Sequence, residues 1–398
     1  MKNTWRFTGN EQKYLAEVIS GDMISSTSGS MNQRFEQAFA SFTNTKYAIT
    51  FNSGTSTLHA ALHACNVHAG DEVIVPPLTV ISNVDVILAQ GAIPIFADVD
   101  PDTWNMDPAC VERLITPRTR AIMPVSLYGL SADLLRFSEL AKSHGIPLIN
   151  DAAQAYGATC NDIDINQLAD ITSYSLENSK HITTGDGGIV VTNDEKLAVL
   201  MRKFGSLSYS AMKAGDGRIR LNKSIFQDPS YSRHDDVGLN YRMPEVAAAL
   251  GLAQVERADY FINKRIQNAA VFDEVVSNCD WLIPQQIPEG FKHSQWTYVV
   301  KILDQNVSWY EFKNRFNQFG GDGPFGCWKL TYQEDLFVNQ AYKRINPLVY
   351  QSIDYPASSL CPIAESIQPF LLQFPTNQGS AEEVEVQVKA LRDTIRSF

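Results

Sequence analysis

Lysines normally decorate exposed faces, so a lysine inside a stretch suited to burial marks a place where chemistry is possible. Lys180 stands in Ser175-Leu176-Glu177-Asn178-Ser179-Lys180-His181, between two β-branched runs, and is trailed by Thr184-Gly185-Asp186-Gly187-Gly188. Buried at a strand end, such a lysine has the lowered basicity that suits a Schiff-base nucleophile. A second segment, Leu148-Ile149-Asn150-Asp151-Ala152-Ala153-Gln154-Ala155-Tyr156-Gly157, sets an acid directly after an apolar run. Small residues and a glutamine one helical turn later suit the close approach of a flat ligand to the backbone. A third, Asn52-Ser53-Gly54-Thr55-Ser56-Thr57-Leu58, is a polar, glycine-containing turn whose amides and hydroxyls form a ready anion site at a helix start. It lacks both the Gly-x-Gly-x-x-Gly spacing of dinucleotide binders and the lysine of a P-loop, so one phosphate group fits it better than a nucleotide. Taken singly, each segment is ordinary: the third reads as a capped helix, and Asp151 as an N-cap.

The elements around these segments bring them to one edge. Short apolar, β-branched runs predict strands over residues 47–51, 72–75, 93–96, 121–125, 147–150, 171–176 and 188–192, and most are apolar nearly throughout, as for strands buried on both faces. Helical patterns lie between them at 55–65, 82–90, 108–115 and 132–143. The alternation predicts an α/β fold with a mostly parallel sheet flanked by helices. Ligands in such folds bind beyond the carboxyl ends of the strands, where the three segments fall. Residues 203–236, rich in Gly, Ser and Lys, interrupt the rhythm and predict a long surface or active-site loop. From Pro244 a single helical pattern runs to about Val276 and links the large unit to a smaller C-terminal α+β domain. The predicted division is 1–260 and 261–398.

A lysine, a carboxylate and a phosphate cradle on one sheet edge are what pyridoxal 5'-phosphate requires. The lysine condenses with the aldehyde, the acid keeps the pyridine nitrogen protonated, and the phosphate needs an anchor. With that combination the chain resembles the DegT/DnrJ/EryC1/StrS sugar aminotransferases, a branch of the fold-type I, aspartate-aminotransferase-like enzymes. The resemblance rests on Ser-Gly-Thr-x-x-Leu from Ser53, Asp-Ala-Ala-Gln-x-x-Gly from Asp151, Ser-x-x-x-x-Lys-x-x-x-x-Gly-x-Gly-Gly from Ser175, and Gly-x-Asn-Tyr-Arg-Met from Gly238, in family order. Cys361-Pro362-Ile363-Ala364-Glu365 also looks like the family's C-terminal segment. The resemblance implies that Lys180 carries the cofactor and moves the proton, and that Asp151 pairs with the pyridine nitrogen. Gln154 would lie by the phenolic oxygen, while Gly54, Thr55, Ser56 and Ser175 hold the phosphate. It further implies that Asn240 reaches the phosphate of a neighbouring subunit, hence a homodimer with shared active sites; Arg242 serves either structure or the donor carboxylate. The implied reaction moves an amino group from L-glutamate onto a nucleotide-linked ketosugar or a keto-sugar acid such as a keto-octulosonate, for a surface glycan such as lipopolysaccharide or a secondary metabolite.

Three positions depart from the family pattern. Val80 stands where an aromatic residue usually stacks on the cofactor, Ser126 where a histidine precedes Leu-Tyr-Gly, and Asn150 where an acid precedes Asp151. A related class replaces the lysine with histidine and dehydrates its sugar; Lys180 argues against that alternative. The intact set also argues against a non-catalytic paralogue that only binds the cofactor.

Composition narrows the remainder. With 44 acidic and 33 basic residues in 398, the formal net charge is −11, and no basic stripe exists to meet nucleic acid. The N-terminal residues lack an apolar signal region, and no apolar run approaches the length of a membrane span, so the expectation is a soluble protein. Six scattered cysteines, the nearest pair 34 positions apart, form neither a disulfide scaffold nor a zinc framework, which suits a reducing cytoplasm. His59 and His63 share a helix face, but they lack the glutamate and third ligand of a metal motif, and no metal is expected. Trp296, Tyr298, Trp328, His293, the 203–236 loop and Gly320 to Gly323 are the remaining candidates for sugar contact or for places near the cleft.

Overall fold

The computed structural model describes residues 4–21 and 23–398. Its strands are β1 (Tyr47–Phe51), β2 (Glu72–Val75), β3 (Ile93–Phe96), β4 (Thr119–Ile122), β5 (Ile149–Asp151), β6 (Thr159–Cys160), β7 (Ile163–Asp164), β8 (Ile171–Ser175), β9 (Gly188–Thr192), β10 (Leu282–Pro284), β11 (Thr297–Ile302), β12 (Phe325–Gly326) and β13 (Leu371–Pro375). Seven of them form the large layer in the order β3-β2-β4-β5-β8-β9-β1, with β4 and β5 joined through the parallel bridges Ile122–Leu148 and Val125–Asp151. The pairs β3–β2, β2–β4 and β5–β8 are parallel, while β9 runs antiparallel to both β8 and β1. The sheet is therefore mostly parallel, as expected, with one reversed strand.

The apolar continuity of these strands has a direct cause. Ile49, Val73, Val75, Ile149, Ile171 and Val190 pack into one core, and their neighbours Ala48, Ile74, Ile189 and Val191 pack into another. Successive side chains point to opposite faces, so a sheet covered on both sides needs apolar residues at every position. Helices Gly54–Ala64 and Leu134–His144 supply part of the two covers. Asp133 and Ser53 cap their starts by accepting amide bonds from Arg136 and Ser56.

The helical pattern from Pro244 is two helices, not one: Glu245–Val255 and Ala258–Val276. The break falls at Arg257, whose backbone (φ −120°, ψ 15°) leaves the helical region. It leaves Gln254 Nε2 and Arg257 Nη1 donating to the carbonyl of Arg6, at 2.8 and 3.3 Å. The second helix begins among the large-layer residues with Phe261 and Ile262. It ends in a third core with Phe272, Tyr298, Phe312, Phe374 and Leu391, built on the antiparallel sheet β10-β11-β13-β12 and helix Ala381–Arg396. Leu330, Tyr332, Phe337 and Tyr350, although late in the chain, pack into the core of the large layer.

Candidate functional site

Sheet register places the three polar segments side by side. Ser175 at the end of β8 pairs with Gly188 of β9, and Gly188 pairs with Phe51 at the end of β1. The turn after β1 and the loop after β8 thus leave one edge on either side of β9. Two glycines make that approach possible: a Cβ on Gly188 would lie 2.3 Å from the Ser53 carbonyl oxygen, and one on Gly54 would lie 2.9 Å from Ser175 Cβ. Asp151 ends β5 and pairs with Ser173 in the neighbouring strand. All three segments open on one cavity of about 1050 Å³.

Lys180 and Asp151 both line that cavity and are buried, at 8% and 6% exposure. Burial pulls the Lys180 amine down to about 8, opposed by the nearby charges of Glu177 and Asp151 and aided by that of Arg265. The same loss of solvent pushes the Asp151 carboxyl up, against the amide of Ala153, the side chain of Asn83 and the Lys180 charge. Asp151 Oδ1 accepts from Ala153 N at 3.0 Å and Oδ2 accepts from Asn83 Nδ2 at 2.9 Å. Thr79 Oγ1 donates to Asn83 Oδ1 at 3.0 Å, which turns the Asn83 amide toward the carboxylate. The Lys180 amine lies 4.0 Å from the centre of the Trp296 ring.

Ser53, Gly54, Thr55, Gln154 and Ser175 also line the cavity. The amides of Gly54 and Thr55 open the first turn of their helix, so no helical carbonyl can accept from them. Gln154 Oε1 accepts from Tyr128 N at 2.6 Å, and Tyr128 holds a strained φ of 60° on the cavity wall. Ser56 does not line the cavity: its hydroxyl donates to Asn52 Oδ1 at 2.6 Å and its amide to the Ser53 cap, so Ser53 presents the hydroxyl at that place. Asn240 lies outside the cavity of its own chain and is exposed, bridged to Ser206. Val80, Trp296, Trp328 and Asp322 line the cavity, whereas buried Tyr298 donates to Asp273 and buried His293 is held by Gln285; no residue of 203–236 lines it. His59 is bonded to Tyr241, and His63 stacks on Phe204 and reaches Asp236.

Asn83, Tyr128, Glu177, Arg265 and Cys327 are the cavity or support residues that no local pattern announced. Asn83, Tyr128, Arg265 and Cys327 reach the site across long sequence separation, so spacing carried no trace of them, while Glu177 lies inside the lysine segment without a spacing of its own to mark it. The donor set fits pyridoxal phosphate. A buried amine of lowered basicity shares one cavity with a buried carboxylate, and the first-turn amides of a helix beside serine and threonine hydroxyls suit one phosphate. These are the parts of a fold-type I pyridoxal-phosphate enzyme.

The sequence model of the DegT/DnrJ/EryC1/StrS aminotransferase family matches residues 6–323. The chain is 38% identical over 298 residues to the GDP-perosamine synthase of Caulobacter vibrioides, covering 75% of this chain and 76% of that protein. It is 34% identical over 282 residues to the L-glutamine:2-deoxy-scyllo-inosose aminotransferase of Streptomyces paromomycinus, covering 70% and 64%. The crystal structure of an aminotransferase from Psychrobacter cryohalolentis superimposes with a TM-score of 0.83 at 27% identity, over 96% of this chain and 95% of that one. The chain belongs to the DegT/DnrJ/EryC1/StrS aminotransferase family and is a pyridoxal-phosphate-dependent sugar aminotransferase. Among the described residues no helix is long and apolar enough to cross a membrane, and no cluster of three metal-ligating side chains occurs.

Proposed function

We propose that the protein transfers an amino group from L-glutamate to the carbonyl carbon of a ketosugar, either nucleotide-linked or a keto-sugar acid, and does so as a homodimer with shared sites in the cytoplasm. The observation that carries this reading is the buried Lys180 amine sharing one cavity with the buried Asp151 carboxylate beside the helix start at Gly54. The similarity to a GDP-perosamine synthase supports a nucleotide-linked acceptor.

Pyridoxal phosphate, when bound, supplies an aldehyde and a ring able to accept the electrons left when a donor's α-proton departs. Lys180 Nζ, which burial lets shed its proton more readily than a free lysine, would carry that aldehyde and, once free, move the donor's α-proton. Asp151 would hold a proton on the ring nitrogen, and Asn83 with Ala153 N would keep the carboxylate aimed. Gly54, Thr55 and Ser175, joined by Ser53, would bind phosphate, with Ser56 behind them orienting the Ser53 cap. Gln154, fixed by Tyr128 N, would orient the ring's oxygen. Exposed Asn240 would complete the site of a second subunit.

The purified protein is expected to carry an absorbance band in the visible edge that L-glutamate bleaches with release of one 2-oxoglutarate per site. Lys180→Ala should lack the response. A colourless protein that takes up no added cofactor overturns the reading, and bleaching by L-glutamine alone overturns the donor. Mixing inactive Lys180→Ala with inactive Asn240→Ala subunits should restore part of the activity if sites are shared.

A further inference from the structure

Two buried guanidiniums meet at the backbone that carries Lys180. Arg6, 1% exposed, donates from Nη1 to the Asn178 carbonyl at 2.6 Å and from Nη2 to the carbonyls of Lys180 and His181 at 2.7 and 3.2 Å. Arg265, 3% exposed, donates from Nη2 to the carbonyls of Ser179 and Lys180 at 2.6 and 3.1 Å. Its Nη1 reaches the Trp296 carbonyl at 2.7 Å and Thr376 Oγ1 at 3.2 Å. Every one of these partners is a neutral oxygen. Burying two cations this way is costly, and burial accordingly pulls the guanidiniums down to about 10 for Arg6 and about 9 for Arg265. Trp296 closes the set: its indole N–H donates to the Ser179 carbonyl at 3.0 Å while its ring lies under the Lys180 amine.

We propose that Arg6, Arg265 and Trp296 are positioning residues for Lys180, the two guanidiniums fixing the carbonyls of residues 178–181 and the indole face holding the amine whenever it is free of the cofactor. The inference rests on Lys180 as the reacting amine. A loop that must release and recapture a ligand through one side chain gains from a backbone that does not move and from a defined place for the released amine. An aromatic face favours the charged amine, whereas a neighbouring guanidinium favours the neutral one, so the two supports act on the same nitrogen in opposite senses. The other charged groups acting on it are Glu177 and Asp151; His181, the next residue, is held neutral by burial.

The test uses cofactor-free full-length protein and needs no aminotransferase activity. Acetic anhydride labelling of Lys180, followed by peptide mass spectrometry across pH, reads the midpoint at which the amine loses its proton. Trp296→Leu should lower that midpoint by about half to one pH unit, Trp296→Phe should stay within a few tenths of the parent, and Arg265→Met should raise it. Amide hydrogen exchange at residues 178–181 should accelerate at least tenfold in Arg6→Gln and less in Arg6→Lys. Arg265→Met is the variant at risk of not folding, and the Trp296 pair tests the amine without it. An unchanged or raised midpoint in Trp296→Leu overturns the amine support. Unchanged exchange in a folded Arg6→Gln overturns the backbone support. Either result leaves the role of Lys180 standing if the labelled lysine still fails to take up cofactor.

Discussion

Ser126 Oγ donates to Asn150 Oδ1 at 2.9 Å, so the positions where the family's histidine and acid are both replaced are partners in space. Both side chains are fully buried, and Ser126 Oγ also accepts from Ala132 N. The pair buried next to Asp151 in the chain is therefore a neutral one. Ser126→Ala removes the hydroxyl and leaves a buried amide oxygen unpaired, and it should cost about 1–3 kcal/mol in urea denaturation. A Ser126→Ala/Asn150→Leu double variant should cost less than the two single losses added together, because the amide oxygen then goes with its donor and only the Ala132 N–H is left without its acceptor. Strict additivity would show that the contact carries no coupling.

Asn83 is the side chain that donates to the Asp151 carboxylate. Asn83→Ala leaves Asp151 Oδ2 without its amide, and a hydrogen bond to a charged group contributes about 1.5–3 kcal/mol, so cofactor retention should fall about 10- to 100-fold. The Asp151 carboxyl should rise further, since the Asn83 bond is one of the influences holding it down. Absorbance after dialysis gives the answer, and undiminished retention would remove Asn83 from the site.

Burial sets a pH dependence at Lys180 whose sign is fixed. Only the neutral amine attacks an aldehyde, so capture of pyridoxal phosphate by cofactor-free protein should rise about tenfold per pH unit below about 8 and level off above it. Between about 8 and 10.5 the folded protein holds less of a proton here than the unfolded chain does, so stability contributed by this site rises with pH across that window. Urea midpoints of the parent and Lys180→Met, compared at both ends of the window, should diverge accordingly. A parallel pair of curves would contradict the lowered basicity.

The two glycines at the sheet edge differ in what they can tolerate. In Gly188→Ala the new methyl meets backbone, the Ser53 carbonyl at 2.3 Å and the Gly54 amide at 2.7 Å, neither of which can turn aside. The helix start must shift, at a cost of about 1–3 kcal/mol and with loss of phosphate affinity. Gly54→Ala meets the Ser175 side chain at 2.9 Å and should be milder. Thermal midpoints and cofactor titration check the order, and equal effects would mean that the approach of the two strand ends does not shape the cradle.

Much of the fold was legible because it is local. β1, β2, β3 and β9 stand on the residues their β-branched runs marked, and Lys180 and Asp151 lie at strand ends beside the polar helix start. What escaped is what local patterns do not encode. Nothing near Arg6, Arg265 or Trp296 hints that they converge on residues 178–181, and Ser126 gives no sign of Asn150 24 positions away. The break at Arg257 was invisible for the same reason. The apolar period runs straight through it, without glycine or proline, and the turn serves a carbonyl 251 residues distant.

The reversed strand β9 separates the making of the site into two times. β8 and β9 are neighbours joined by the lysine loop itself, so every backbone bond of that hairpin lies within residues up to Thr192. Arg6 precedes it, but Arg265 and the helix turn that holds Arg6 come later. Synthesis runs from the N-terminus, so the lysine loop is complete before Arg265 and the long helix beginning at Ala258, which fix its carbonyls, have been made.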